Sequence, residues 1–163
     1  MGINIGDTVR FLSTDPYRCV VTGRIKHFIS AFGEHVIGKE VEEALQETLQ
    51  EFSAEVVEFT VAPQVNPASG LPYHEWLIEF SRAPEDPGKF AAALDRNMVK
   101  QNSYYEDLIT GNILRPLKVS MLQPDAFRHL MKSRGKLGGQ NKVPRLANDR
   151  EYASVLEEYI RRG

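Results

Sequence analysis

The sequence is poor in cysteine, with Cys19 as the only one among 163 residues. A single cysteine forms no intramolecular disulfide, which excludes the small secreted scaffolds that disulfides hold together and predicts a reducing, cytoplasmic environment. No apolar run approaches the roughly 20 residues of a membrane span, and the N-terminus lacks the basic and apolar regions of a signal peptide. We therefore expect a cytoplasmic protein that makes no contact with membranes.

Excess charge and familiar catalytic motifs are also missing. Twenty basic against 22 acidic residues give a formal net charge of -2, so the overall charge does not point to a nucleic acid partner. Neither a Gly-x-x-x-x-Gly-Lys-Ser/Thr phosphate loop nor a Gly-x-Ser-x-Gly nucleophile elbow occurs. The second cysteine that many zinc sites need is absent, and the histidines lack metal-ligand spacing, so no metal site is predicted: His27, His35, His74 and His129.

The length is sufficient for one domain with a real core. Two β-rich runs, residues 7–13 and 17–23, flank the turn Thr14-Asp15-Pro16 and predict a hairpin. Between residues 34 and 134 the periodicity predicts strand, helix, strand, strand, helix and strand, in that order. We therefore expect an α+β fold, with a β-hairpin followed by a ferredoxin-like βαββαβ core and an extra C-terminal helix.

Local signals place the elements of this core. Asp86-Pro87 is typical of a helix start, with Asp as the cap and Pro in the first turn. Ser103 and Glu106 match a capping box, and Tyr104 and Tyr105 are expected to be packing residues. The predicted helices cover residues 39–52, 86–98, 103–111, 124–134 and 148–160, and the predicted strands cover 34–37, 54–65, 72–81 and 117–122.

Two of these helices carry further signals. The helix at 39–52 has an apolar stripe at helical spacing, from Val41 to Phe52. Gly135 is expected to stop the helix at 124–134.

Two sites near the hairpin could carry chemistry. Gly6-Asp7 stands at its head, where a carboxylate can accept hydrogen bonds from two vicinal ribose hydroxyls. Arg24 and Lys26 follow Gly23 where the chain leaves the hairpin, a place suited to a pivot between two domains. The alternatives are an ordinary turn for the first site and a solvated, charged turn for the second.

A basic, glycine-rich segment lies near the C-terminus. Between Lys132 and Arg150 there are six basic residues and one acidic residue, Asp149. Clustered cations on such a loop suit an anionic ligand such as phosphate. The alternatives are a solvated loop without a ligand and an RNA-binding patch, although the segment lacks interleaved aromatic residues for base stacking.

Taken in order, these motifs resemble the C-terminal region of the acyl-adenylate-forming superfamily. Those that carry the resemblance are Gly6-Asp7, Gly23-Arg24-x-Lys26, Gly33-x-x-Val36, Glu40-Val-Glu42 and one late lysine, Lys142. Three further segments resemble the branch of plant auxin-responsive acyl-acid amido synthetases and their bacterial relatives: Tyr104-Tyr-Glu-Asp-Leu, Leu122-Gln-Pro-Asp-Ala-Phe-Arg-His-Leu-Met131 and Gln140-Asn-Lys-Val-Pro-Arg145.

The resemblance implies a role for four residues. Asp7 matches the aspartate that holds the ribose hydroxyls of ATP, and Arg24 matches the arginine that approaches the nucleotide. Lys26 falls on the hinge about which the domain rotates between two half-reactions. Lys142 matches the catalytic lysine that enters the active site during adenylation.

The resemblance also implies a division of the chain and a set of ligands. Residues 1–26 are then a hinge hairpin and residues 27–163 a C-terminal lid domain. We expect the chain to be a cut domain whose large N-terminal ATP- and acid-binding domain is absent, so that it is inactive alone. The full-length ligase uses ATP and Mg²⁺ to activate a small carboxylic acid as its acyl-adenylate, and transfers the acyl group to an amino acid or to the thiol of coenzyme A.

Other readings of the sequence remain open. A free-standing ferredoxin-like module that binds a small anion or a protein explains the core and the basic loop. It does not explain why Asp7, Arg24 and Lys26 lie on a hairpin outside that core. An RNA-binding domain is the third reading, and it predicts an affinity that falls steeply with salt.

Overall fold

The structure, a computed structural model, describes residues 7–14, 17–24, 28–135 and 142–163, with side chains from Ile29 onward. Within these ranges it has seven strands, five α-helices and one short 3-10 helix. The strands form two separate antiparallel pairs and one three-stranded mixed sheet. The predicted α+β class is confirmed, and the elements follow the predicted order along the chain.

The N-terminal hairpin forms where the β-rich runs predict it. Strand β1 spans Asp7–Thr14 and strand β2 spans Tyr17–Arg24, and the two pair antiparallel. Two shifts of register occur along the pair, and such irregularities strengthen the local twist of a hairpin. The register sets Asp7 opposite Arg24, so the two ends of the hairpin meet.

The strand predicted at 34–37 is shorter than expected and pairs differently. Strand β4 (Val36–Ile37) pairs antiparallel with β3 (Phe28–Ile29) and stays outside the three-stranded sheet. Only two extended residues are available, because His35 before them has a positive φ of 48° and α1 (Gly38–Glu51) begins directly after them. Gly33, with φ 89°, allows the turn that brings β4 back to β3.

Helix α1 begins and packs as its sequence predicts. The backbone N–H of Ile37 donates to the carboxylate of Glu40 at 3.0 Å, one half of a capping box. The predicted stripe faces inward, since Val41, Ala44, Leu45 and Thr48 are buried. A stripe at this helical spacing needs a partner surface, and the sheet supplies it.

The mixed sheet has β6 at its centre. Strand β5 (Glu55–Gln64) pairs antiparallel with β6 (Tyr73–Arg82), and β7 (Lys118–Leu122) pairs parallel with β6 on the other side. Parallel neighbours need a crossover connection. Helices α2 (Pro87–Gln101) and α3 (Ser103–Thr110) form that connection between β6 and β7.

The predicted cap of α2 is confirmed, whereas the predicted cap of α3 is wrong by one residue. Asp86 accepts a hydrogen bond from the backbone N–H of Lys89 at 3.0 Å, as a cap of α2 should. In α3 the cap is Asn102, which accepts from the N–H of Tyr105 at 2.8 Å, and the predicted Ser103 is the first helical residue. Asn102 also ends α2, because its own N–H donates to the carbonyl of Met98.

The last part of the chain forms shorter helices than predicted. Helix α4 spans Ala126–Ser133, close to its predicted range, and Gly135 follows it with the expected positive φ. The long helix predicted at 148–160 is instead α5 (Glu151–Leu156) followed by a 3-10 turn (Glu157–Tyr159). Arg150 precedes α5 and donates to Glu75 of β6 and to Glu157, the first residue of the 3-10 turn.

The core lies on both faces of the sheet. Trp76, Ile78 and Phe80 of β6 belong to one cluster with α1, α2 and α3, whereas Leu77 belongs to a second cluster with α4 and α5. Successive side chains of a strand point to opposite faces, so one strand supplies both clusters. The described residues from β5 onward therefore form helix, sheet and helix layers around β6.

Later segments of the chain close both edges of this sheet. At β5, the N–H of Val61 donates to the carbonyl of Arg145, and the N–H of Ala147 donates to the carbonyl of Val61. At β7, the N–H of Arg161 donates to the carbonyl of Met121. These bonds satisfy edge groups that a three-stranded sheet otherwise leaves unpaired.

Candidate functional site

The hairpin brings two predicted nucleotide-binding residues together. Asp7 and Arg24 are direct partners across β1 and β2, although they are separated by sixteen residues in sequence. Directly opposite residues of an antiparallel pair have Cα atoms roughly 4.5–5.5 Å apart. The structure describes only the backbone of these two residues, and the predicted hinge residue Lys26 lies outside the described part of the chain.

Lys142 lies on the exposed start of a segment whose continuation is anchored. Its side chain is exposed and forms no hydrogen bond or ion pair with another described residue. The next residue, Val143, is buried in the cluster below α4, and the carbonyl of Pro144 accepts a 2.8 Å hydrogen bond from the hydroxyl of Thr60. An exposed ammonium group is thus held close to a fixed piece of backbone.

Arg145 connects this segment to α1 and β5. Its Nε donates to Glu42 of α1 at 2.9 Å, and its Nη1 donates to Glu58 of β5. The guanidinium also lies over the ring of Phe59, 4.8 Å from its centre. Burial lowers the pKa of Arg145, but the bonds to the two carboxylates outweigh that effect and raise it above its usual value. Arg145 remains a cation and is paired with two acids.

This contact unites two motifs that are far apart in sequence. Glu42 ends the Glu40-Val-Glu42 motif, and Arg145 ends the segment that begins with Gln140. Between α1 and β5 the two residues line a shallow groove of about 260 Å³, together with Leu45, Leu49 and Val57. The Glu40-Val-Glu42 motif and the segment that ends at Arg145 therefore meet in space, three residues from Lys142.

The basic segment is less available to an anion than its composition predicts. Arg134 donates to Glu151 at 2.6 Å. Arg150 donates to Glu75 at 2.7 Å and to Glu157 at 2.5 Å. With Arg145 also paired, all three arginines of the segment are used within the fold, which disfavours a broad phosphate- or RNA-binding patch. Of its lysines, Lys132 and Lys142 are described, and both are exposed.

A buried polar cluster lies under the loop between β3 and β4, and the sequence does not predict it. Glu34 is fully buried and accepts a 2.7 Å hydrogen bond from Nε2 of His74. Tyr105 packs beside His74 and donates to Asp95 at 2.6 Å. Burial and the neighbouring Asp95 raise the pKa of Tyr105 well above its usual value, so it stays a neutral donor. No local pattern links residues forty positions apart, and only the fold reveals the pair.

Two further findings bear on ligands. Among the described residues, no three His, Cys, Asp or Glu side chains come together in a way that could hold a metal ion. None of the helices in the described ranges combines the length and the apolar character that crossing a bilayer requires. The candidate site in the described part of the chain is therefore Lys142, an exposed lysine on an anchored segment. No metal centre is found among the described residues.

Comparisons with known proteins place these features in context. The sequence matches the family described as GH3 family C-terminal domain over residues 39–151, which is more than half of the chain and includes Lys142. Comparison with curated proteins gives no match. The match to the family begins after the hairpin, so Asp7 and Arg24 lie outside it.

Several solved structures share the fold of this chain, among them two structures of acyl acid amido synthetases. One is GH3.15 acyl acid amido synthetase, with a TM-score of 0.74 and 17% identity, and the other is AtGH3.15 acyl acid amido synthetase in complex with 2,4-DB, with a TM-score of 0.70 and 18% identity. Each comparison covers 97% of this chain but only 30% of the other chain. The chain therefore spans less than a third of the length of these structures.

Proposed function

This chain belongs to the GH3 family, as its C-terminal domain, and from that premise we propose that it serves as the lid of an ATP-dependent acyl-acid amido synthetase. In this proposal a small carboxylic acid is activated as its acyl-adenylate and then transferred to the amino group of an amino acid. The two solved structures named above are amido synthetases, which favours an amine over the thiol of coenzyme A as acceptor.

The proposed partner of this domain is the N-terminal domain of the same enzyme. The chain accounts for only 30% of the length of these two structures, so the larger part of such an enzyme lies elsewhere. We assign the acid pocket and most of the ATP site to that part, and expect the domain to be inactive alone. The requirement for ATP and the single cysteine both favour the cytoplasm.

We propose that four residues of this chain act in the reaction. Asp7 holds the ribose hydroxyls of ATP, and Arg24, its partner across the hairpin, approaches the nucleotide. Lys26 lies just beyond β2 and is the hinge about which the domain turns. Lys142 enters the active site for the first half-reaction and leaves it for the second.

The chemistry of adenylation explains why an exposed lysine suits this role. A carboxylate oxygen attacks the α-phosphorus of ATP, the bond to the bridging oxygen breaks, and pyrophosphate leaves. Two anions must approach each other while negative charge spreads over the phosphoryl oxygens, and an ammonium group there stabilises the transition state. Closure of the lid also excludes water, which protects the acyl-adenylate from hydrolysis.

Magnesium is assigned no ligand within the described residues, because they contain no cluster of side chains that could hold a metal ion. When bound, the ion neutralises charge on the triphosphate. The described side chains of this domain then contribute a cation, Lys142, rather than a metal site.

One observation carries the proposal: the match to the GH3 family C-terminal domain includes the exposed, anchored Lys142. The test measures pyrophosphate release by the full-length enzyme, with ATP, magnesium and a panel of carboxylic acids. We expect Lys142→Ala to lower the rate by roughly 10²–10³, the cost of removing one preorganised charge-stabilising group. Lys132→Ala removes an exposed lysine at the end of α4 and is the matched control.

The outcomes of this experiment separate the parts of the proposal. Loss of pyrophosphate release in Lys142→Ala alone supports both adenylation and the role of Lys142. Equal rates in wild type and Lys142→Ala keep the ligase but remove Lys142 from the reaction. Absence of release with every acid of a broad panel contradicts adenylation by this enzyme.

A further inference from the structure

We infer that Arg145 is a positioning residue for Lys142, because it occupies the two carboxylates that face this segment, Glu42 and Glu58, and fixes the segment on β5. The inference rests on the proposed function of Lys142. It assigns a role to a residue whose side chain is bound to two acids of the fold.

The side chain of Arg145 connects helix α1 to strand β5. Its Nε and Nη1 donate to acids on α1 and β5, and its face lies 4.8 Å from the centre of the Phe59 ring. A planar guanidinium that is held at two edges and one face has little freedom to rotate. Because Arg145 also accepts a backbone hydrogen bond from Val61 at 2.9 Å, side chain and main chain together fix the register of the segment.

Lys142 is close enough along the chain for the contacts of Arg145 to restrict its position. Three residues of extended chain span roughly 10 Å, so the Cα atom of Lys142 lies within that distance of the Cα atom of Arg145. Val143 and Leu146 are buried on either side of Arg145, in the second and the first core cluster, which keeps the intervening backbone at the β5 edge of the sheet. The contacts that fix Arg145 therefore lie close to Lys142 along the chain.

Besides fixing the backbone, Arg145 has a second effect through its positive charge. Glu42 is about half exposed and Glu58 about one quarter exposed, and Arg145 is their shared cation. Without Arg145, two carboxylates remain unpaired beside the segment that carries Lys142 three residues away. The ammonium group of Lys142, on the same segment, is then a cation that these acids can attract, and a lysine paired with them is withdrawn from the incoming phosphate.

The experiment compares the two half-reactions in the full-length enzyme. Pyrophosphate release reports adenylation, and transfer from a chemically prepared acyl-adenylate to the amino acid reports the second step. Arg145→Met keeps the length of the side chain but removes its charge. We expect it to lower adenylation by about 10- to 100-fold, the scale on which misplacement of an active-site group reduces rates. Transfer should stay close to the wild-type rate.

Two further variants test the charge argument. Arg145→Lys keeps the charge but loses the fork that reaches both acids, so its adenylation rate should lie between those of wild type and Arg145→Met. Arg145→Met combined with Glu42→Gln and Glu58→Gln should recover part of the lost rate, because neither amide competes for Lys142. Arg115→Met is the matched control, since Arg115 stacks on Tyr73 at 4.2 Å and lies on the loop before β7.

The results that overturn the inference differ from those that overturn the proposed function. If Arg145→Met lowers both half-reactions equally, or neither of them, or if the triple variant recovers nothing, Arg145 does not position Lys142. Should Arg145→Met fail to fold, the same comparison is made with Arg145→Lys. A full adenylation rate in Lys142→Ala removes the proposed role of Lys142, and the inference falls with it.

Discussion

The Nε2 atom of His74 lies 2.7 Å from Oε1 of Glu34, with both side chains shielded from solvent. Burial raises the pKa of Glu34, but the hydrogen bond from His74 and the backbone N–H of Phe32 outweigh it and hold that pKa below its usual value of 4.5. A carboxyl group with a depressed pKa stabilises the fold above its unfolded pKa, and that contribution disappears as the pH falls through the folded pKa.

The first prediction concerns the pH dependence of this pair. Glu34→Gln should destabilise the domain by about 1–3 kcal/mol near neutral pH, the cost of an imperfectly satisfied buried polar group. The difference from wild type should shrink as the pH is lowered from about 5 towards 3, because wild-type Glu34 also loses its charge there. Urea unfolding followed through the fluorescence of Trp76, the only tryptophan, measures both proteins. A difference that stays constant with pH contradicts the assignment.

A second prediction concerns the start of α4. Asp125 has a φ of 65°, and its side chain does not cap the helix. Glu79 of β6 accepts instead from the N–H groups of Asp125 and Phe127, at 2.8 and 3.2 Å. Glu79→Ala should therefore cost about 1–3 kcal/mol of stability, since two donors lose their acceptor. Glu85→Ala changes an exposed glutamate and should leave the unfolding curve nearly unchanged.

The third prediction concerns Arg150. It donates to the buried Glu75, which also accepts from Ser120 at 2.6 Å, while Lys118 lies 4.0 Å away. Arg150→Met should cost about 3 kcal/mol, the low end for removing one partner of a buried ion pair, because Lys118 remains nearby.

Thermal and urea unfolding of Arg82→Met provide the comparison for Arg150→Met. Arg82 pairs with Glu55 at 3.0 Å, but both side chains are more than half exposed. An ion pair of this kind contributes roughly 0–1 kcal/mol. Equal losses in the two variants would show that Glu75 does not depend on Arg150.

A fourth prediction concerns Asn102, which caps α3 and donates to Glu40 at 3.0 Å. Burial raises the pKa of Glu40 above its usual value, against the opposing hydrogen bonds from Ile37 and Asn102. Asn102→Asp keeps an acceptor for the cap but sets a second carboxylate against Glu40. We expect a loss of about 1–2 kcal/mol at neutral pH that lessens in acid, where Glu40 is protonated first.

Asn102→Ser separates capping from charge in this test, because serine caps helices about as well as asparagine and carries no charge. Its stability relative to wild type should vary with pH less than that of Asn102→Asp, because serine loses only the hydrogen bond to Glu40 and adds no repulsion. Chemical unfolding over that range, monitored by circular dichroism, makes the comparison. A pH-dependent loss in Asn102→Ser, equal to that in Asn102→Asp, would rule out repulsion from Glu40.

Local patterns predicted most elements of this fold. The stripe of α1, the Asp86-Pro87 start of α2 and the stop of α4 at Gly135 depend on residues within one or two turns, and all were confirmed. The order of short motifs predicted the family, which the match over residues 39–151 confirms. The roles proposed for Asp7, Arg24, Lys26 and Lys142 stay predictions.

Local sequence patterns did not predict the contacts between distant parts of the chain. The two acids of Arg145 lie 103 and 87 positions away, and the acceptor for the start of α4 lies 46 positions before it. No periodicity carries such information. The basic segment shows the consequence, because its arginines predict an anion site by composition, whereas the fold uses them to bind its own carboxylates.

The closure of both sheet edges also bears on how the chain behaves in concentrated solution. An open edge strand is a template on which a second molecule can add its own strand, and that is a common route to aggregation. Here residues after Lys142 form backbone hydrogen bonds with the edge of β5, and residues after α5 do the same at the edge of β7. A shortened chain that lacks the last few residues keeps its apolar core but uncovers β7. We expect such a chain to self-associate before it unfolds.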